Sequence, residues 1–350
     1  MRLDNPFTLT FGLEPNLLIK RDSQINIVEE EFTRKNPSKY MYLITGVRGS
    51  GKTVLLSSLS KKFKTKDDWI VIDLNPELNL LESLASQIYE KSHMKFKFAK
   101  KEFSFSFQCV TFSIKGETPV VSIETLLEKM LNVLQKQNKK VLICIDEVSA
   151  TQNIKAFCQQ FQILIRNKFP IFLLMTGLFE NIRNLQEQKT LTFLYRCPLI
   201  ELTPLKIQSI CESYKEVLKI DEVLAIKLAK LTKGYAYAYQ VVGYVCFEHR
   251  ALNFEEAVQV TDTYLRDYVY EKIWNDLPQR EKDILIALAD STENSVALIM
   301  HDIKMDKQTF SPYRMRLIKK GILTSNSWGT LDFALPRFKE FVLDYLKYSF

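Results

Sequence analysis

The sequence predicts an α/β fold in three parts: a core on a parallel sheet over residues 1–202, an all-helical segment over 203–277, and a winged helix-turn-helix over 278–350. Three observations predict it. Apolar runs of strand length alternate with amphipathic runs of helix length through about residue 200. The first apolar run leads through a glycine-rich loop into a helix. After Thr203-Pro204 the periodicity is helical, and it gives way near the C-terminus to two short alternating runs around a turn.

The first strand is Tyr40 to Thr45, and the loop after it reads Gly46-Val47-Arg48-Gly49-Ser50-Gly51-Lys52-Thr53 before an amphipathic run from Val54 to Phe63. This is the pattern G-x-x-x-x-G-K-[ST] in the strand, loop, helix context that it needs. Glycines let the backbone fold closely round phosphates with its N–H groups inward, at the positive end of a helix dipole. Lys52 is then placed to reach the β- and γ-phosphates and the Thr53 hydroxyl to ligate Mg²⁺, which implies ATP and Mg²⁺ as ligands.

A second strand, Trp69 to Leu74, and a helix near Leu80 to Lys91 follow. From about residue 94 to 116 the pattern changes. Lys95, Lys97, Lys100 and Lys101 precede Phe103-Ser104-Phe105-Ser106-Phe107 and Val110-Thr111-Phe112-Ser113-Ile114, a period of two that predicts an inserted β-hairpin. Its lysines suit a solvated edge or a DNA-contacting finger. A helix near Ile123 to Gln137 leads to Lys140-Val141-Leu142-Ile143-Cys144-Ile145, a buried parallel strand closing on Asp146 and Glu147. Asp146 is placed to hold Mg²⁺ and Glu147 to orient or deprotonate an attacking water. The same pair could instead cap the next helix, near Ile154 to Asn167. The strand Ile171 to Thr176 puts Thr176 at a strand end, where ligands bind in such folds.

The helical segment runs from Pro204 to Leu277 with a stop and restart at Lys233-Gly234. Helices over Gln279 to Ser291, Ser295 to Ile303 and Thr309 to Lys320 precede the two short strands, with Trp328 in the turn between them. The third of these helices gathers Lys307, Arg314, Arg316, Lys319 and Lys320, as phosphate-anchored major-groove readers do. Against double-stranded DNA as partner, residues 275–350 hold eleven Lys/Arg and ten Asp/Glu, a weak electrostatic footprint. A nucleotide-dependent switch acting on a protein partner is the alternative.

With 46% hydrophobic and 25% charged residues in 350, the composition is that of an ordinary globular chain. Six cysteines are scattered singly, which implies reduced thiols and no zinc site. No apolar run approaches membrane-spanning length and no apolar signal core follows Met1, so a cytoplasmic protein without a membrane partner is expected. The net charge of +7 permits a polyanionic partner without demanding one.

Taken together, these features resemble the AAA+ ATPases, in particular the archaeal-type clade that includes the origin-recognition initiators. Beyond the loop and the acid pair, the resemblance rests on Asn5-Pro6-Phe7, on Pro15 with Lys20-Arg21-Asp22, and on Phe172-Leu173-Leu174-Met175-Thr176-Gly177. It rests also on Leu194-Tyr195-Arg196-Cys197-Pro198 before Leu202-Thr203-Pro204-Leu205, and on Gly234-Tyr235. It implies slow ATP hydrolysis driving a conformational or assembly switch in a replication or mobile-element factor. Thr176 would poll the γ-phosphate. Pro15 and Arg21 would line the adenine site, and the helical segment over 203–277 would be a lid that brings Gly234 and Tyr235 over it. Arg196 would be an arginine finger if copies self-assemble; on residue chemistry alone it suits a surface ion pair equally. Where members often carry an arginine after the lid glycine, this chain has Tyr235-Ala236-Tyr237-Ala238-Tyr239.

Overall fold

The computed structural model describes residues 4–10, 15–92, 103–104, 113–114, 122–325, 327 and 329–348. The chain forms two compact units, one of Arg21–Thr45 with Leu55–Glu201, the other of Met1–Lys20, Gly46–Val54 and Leu202–Phe350.

In the first unit the elements run α1 (Asp22–Thr33), β1 (Met41–Thr45), α2 (Lys52–Lys64, which begins in the other unit), β2 (Trp69–Leu74) and α3 (Leu80–Lys91). Then come β3 (Phe103–Ser104), β4 (Ser113–Ile114), α4 (Ile123–Lys136), β5 (Lys140–Ile145), α5 (Gln152–Arg166), β6 (Ile171–Gly177) and α6 (Phe179–Gln186). A 3₁₀ segment, Lys189–Arg196, and β7 (Leu199–Glu201) complete the unit. Five strands form one sheet in the order β2-β5-β6-β1-β7, and every pairing in it is parallel. β1 and β6 are buried along their whole length, which is why they read as unbroken apolar runs rather than alternating ones.

Helix starts follow side-chain caps: Asn79 accepts from Glu82 N, Ser122 from Thr125 N and Thr151 from Ile154 N. One face of α4 (Leu127, Leu131, Leu134) and one of α5 (Ile154, Phe157, Phe161, Leu164) enter the core beside the sheet. Each such side chain contributes about 1.5–3 kcal/mol by leaving water, and Leu131→Ala would cost about 2–5 kcal/mol. Within the segment expected as a hairpin, β3 and β4 pair antiparallel, with Phe103 opposite Ile114. The rest of the 94–116 segment, with its lysines, lies outside the described residues, as does Trp328.

The second unit opens on a docked N-terminal segment. Phe7 is buried with its ring 5.9 Å from Tyr214 and 5.7 Å from Tyr239, and Asn5 donates to Tyr244 O and Glu248. Its helices are α7 (Ile207–Leu218), α8 (Glu222–Leu231), α9 (Ala236–Glu248) and α10 (Phe254–Leu265), then a π-helical turn, Arg266–Tyr270, and α11 (Glu271–Asn275). Next are α12 (Gln279–Asp290), α13 (Val296–Asp302), α14 (Lys307–Lys319), the antiparallel pair β8 (Leu323–Thr324) and β9 (Asp332–Phe333), and α15 (Phe338–Tyr348). One core runs without a break from Tyr235 and Val241 through Tyr270 and Trp274 to Ile284, Phe310, Leu317 and Phe338. No helix among the described residues is long and apolar enough to cross a membrane.

Candidate functional site

The glycine-rich loop leaves β1 at Thr45 and becomes α2 at Lys52. Gly49 and Gly51 take positive φ of 76° and 93°, which turns the chain sharply, and a Cβ on Gly49 would overlap the Tyr235 hydroxyl. The turn is closed by Ser50 N donating to Val47 O at 3.1 Å. Lys52 is buried, and its ammonium donates to Gly46 O and Val47 O, both at 3.1 Å, so the cation is held inside the curl of its own loop. The first turn of α2 carries no acid that would oppose an anion there. Thr53 and Val54 follow within α2, both half-buried.

The start of α9 touches the same loop. Tyr235 O–H donates to Arg48 O at 2.5 Å and Tyr237 N–H to Gly49 O at 3.1 Å. Burial pushes the Tyr235 phenol up from its ordinary pKa, so it stays a donor. Gly234, at φ 75°, leaves no room for a Cβ beside Leu205 O and accepts from Leu205 N at 2.7 Å. Arg48 reaches Asp276 at 3.7 Å, and Asp276 also pairs with Lys272 at 3.3 Å. Pro15 lies half-buried in the N-terminal segment of this unit.

In the other unit, parallel register sets Thr176 opposite Ile44 and Met175 opposite Ile145, so Thr176 and Asp146 stand side by side at the carboxyl edge of the sheet. The Thr176 hydroxyl donates to Asp146 Oδ1 and accepts from Glu147 N at 3.2 Å. Glu147 N also donates to Asp146 Oδ1 at 3.1 Å. Glu147 is exposed and left-handed, at φ 53°, a conformation that costs a non-glycine residue about 1–2 kcal/mol. Val148 N donating to Thr176 O at 2.8 Å holds the bend. The cap of α5 is Thr151, so the acid pair does not serve as its cap. Among the described residues no cluster of three or more His, Cys, Asp or Glu could hold a metal ion. Arg196 ends the 3₁₀ segment, exposed, and no salt bridge holds it among the described residues. Arg21 sits at the N-cap of α1, where burial lowers its pKa from the ordinary value.

The cations of α14 and of its C-cap, Lys320, are mostly turned to the protein itself. Lys320 pairs with Glu281 at 2.5 Å, Arg316 lies 4.4 Å from the Tyr313 ring and 3.5 Å from Glu281, and Arg314 donates to Ser325 at 3.1 Å. Lys307 and Lys319 are exposed, beside Gln308, Ser311 and Met315. Residue chemistry alone missed Asp276, whose tie to Arg48 spans the chain without a local pattern. It also missed the Thr45 hydroxyl, buried at the end of β1 without a partner among the described residues.

A family model described as "Domain of unknown function (DUF8462)" matches residues 267–342. No curated protein sequence matches the chain. Among solved structures, the Walker-type ATPase PABY2304 of Pyrococcus abyssi is similar with a TM-score of 0.65 at 17% identity, covering 93% of this chain and 96% of that one. The ORC2 protein of Aeropyrum pernix gives 0.57 at 14% identity, covering 94% and 93%. The Cdc6p protein of Pyrobaculum aerophilum gives 0.50 at 16%, covering 97% and 96%. The chain has the fold of the AAA+ initiator-like ATPases. The likeness to these structures extends over nearly the whole chain.

Proposed function

We propose that this AAA+ chain binds ATP with Mg²⁺ and hydrolyses it slowly, driving a conformational or assembly switch. The observation that carries the reading is the loop in which Lys52 is held by the carbonyls of Gly46 and Val47 at the start of α2. An anion entering the loop would offer that ammonium oxygens of full charge in place of neutral carbonyls. Backbone N–H groups from Val47 to Thr53 would bind the phosphates, with Pro15, Arg21, Gly234 and Tyr235 toward the base and sugar. Thr53 and Asp146 would hold Mg²⁺, which supplies charge neutralisation on the phosphates. Glu147 accepts the proton of the attacking water in this reading, and Thr176 keeps Asp146 and the Glu147 backbone in register. Arg196, exposed and without an ion pair among the described residues, is offered to a neighbouring copy. Equilibrium binding of ATP with Mg²⁺ and phosphate release, each compared between wild type and Lys52→Ala, test the reading. Equal affinity in the two chains would end it.

For the output of the switch, the C-terminal helices with the β8–β9 pair follow the order of a winged helix, and exposed Lys307 and Lys319 favour double-stranded DNA as the partner. The inward turn of Lys320 and Arg316 to Glu281 favours the second reading, a protein partner. DNA binding that weakens with salt decides between them.

A further inference from the structure

Three consecutive residues at the tip of the phosphate loop are held by elements from the C-terminal half of the chain. Val47 packs against the core that runs from α9 to α15, and its Cβ lies 3.3 Å from where a Cβ on Gly321 would stand, just past α14. Arg48 is held twice, its carbonyl by the buried Tyr235 hydroxyl at 2.5 Å and its guanidinium by Asp276 at 3.7 Å. Gly49 gives its carbonyl to Tyr237 N–H at 3.1 Å.

These contacts fix peptide planes as well as positions. In a trans peptide the C=O and the following N–H point in opposite directions. A phenol that holds the Arg48 carbonyl therefore aims the Gly49 N–H away from α9, and the Tyr237 contact sets the next plane, whose Ser50 N–H closes the turn on Val47 O. The donors that an anion meets in such a loop are these backbone groups, so their directions decide how well it binds.

We propose that Tyr235, Asp276 and Gly321 are positioning residues of the phosphate loop, and that nucleotide on the loop and the seating of the turn after α14 are coupled. The proposal rests on the nucleotide reading above. Linkage requires the effect in both directions: an occupied loop steadies the turn at Gly321, and loosening the hold on Arg48 weakens nucleotide binding. The turn offers amides that report on it, since Gly321 N donates to Ile318 O at 2.9 Å and Ile322 N to Leu317 O at 3.1 Å.

Hydrogen exchange on the full-length chain, with and without saturating ATP and Mg²⁺, tests the coupling. Slower exchange over 46–54 reports occupancy, and with it exchange over 317–323 is expected to slow about fivefold or more, as a modest coupling gives. Tyr235→Phe keeps the ring and removes the donor. It is expected to bind ATP about 3–10-fold more weakly, the effect of one hydrogen bond, and to show less protection over 317–323 at saturation. Protection confined to 46–54 would overturn the proposal, as would a Tyr235→Phe chain that binds as tightly as wild type. If wild type gains no protection over 46–54 and binds no ATP, the nucleotide reading fails and the proposal goes with it.

Discussion

Lys320 places its ammonium 2.5 Å from a carboxylate oxygen of Glu281, a side chain with no exposed surface. Arg316 stands 3.5 Å from the other oxygen. Removing a cation from such a pair leaves a buried charge uncompensated, which costs about 3–5 kcal/mol. Lys320→Ala should therefore lower the unfolding free energy measured by urea titration by that margin, and Glu281→Leu combined with Lys320→Met should recover most of it. A double variant as unstable as Lys320→Ala would show that the two side chains act separately.

If α14 meets DNA, the phosphates are met by Lys307 and Lys319, the lysines it leaves exposed. Each true contact adds about one unit to the salt slope of binding, so Lys307→Ala with Lys319→Ala should lower that slope by ~2 and weaken all sequences alike. Measured affinity against salt gives the answer, and an unchanged slope would turn preference to the protein partner.

The parts of this architecture that could be read in advance are those set by short-range chemistry. The loop from Gly46 to Thr53 and the run ending at Asp146 carry their meaning within a few residues, because strand burial and glycine turns are local. The helices after Pro204 were equally legible from their period. Side-chain direction was not: Lys320 and Lys319 are adjacent in the sequence, yet one is half-buried against Glu281 and the other is exposed. Which way each turns depends on Glu281, 39 residues away. The role of Thr151 as the cap of α5 was hidden for a similar reason, since Asp146 and Glu147 satisfy the same local rule. Nor did anything near Arg48 point to Asp276.

Lys52→Ala should weaken ATP binding about 10–100-fold, the loss expected when a charged hydrogen-bonding partner of the phosphates is removed. Titration with ATP and Mg²⁺ measures it, and thermal melting of the unliganded chain shows whether the fold is kept.

Glu147→Gln should bind ATP but release phosphate at least 100-fold more slowly, since the amide cannot take a proton. Glu147→Gly makes a sharper test. It should also stop turnover, yet raise stability by up to about 1 kcal/mol, because glycine adopts the left-handed conformation at φ 53° without strain. Unchanged turnover in either variant would remove Glu147 from the chemistry.

Arg196 matters to hydrolysis only where copies stack. Mixing Arg196→Ala with Lys52→Ala protomers should then restore about one competent site per interface. Absence of rescue, together with a monomeric wild type by light scattering, would leave Arg196 as a solvated side chain.

Tyr270 and Trp274 lie upstream of α12, yet their rings pack on Phe338 and Phe341 of α15, and the Tyr270 hydroxyl donates to Pro336 O. A chain cut after Leu277 would strip these aromatics from the C-terminal part and open an oily cleft in it. The region shared with the matched family model begins at residue 267, inside the π-helical turn and ahead of both rings. The matched region thus carries its own upstream plug, and a gene fragment meant to keep that packing should start before Arg266.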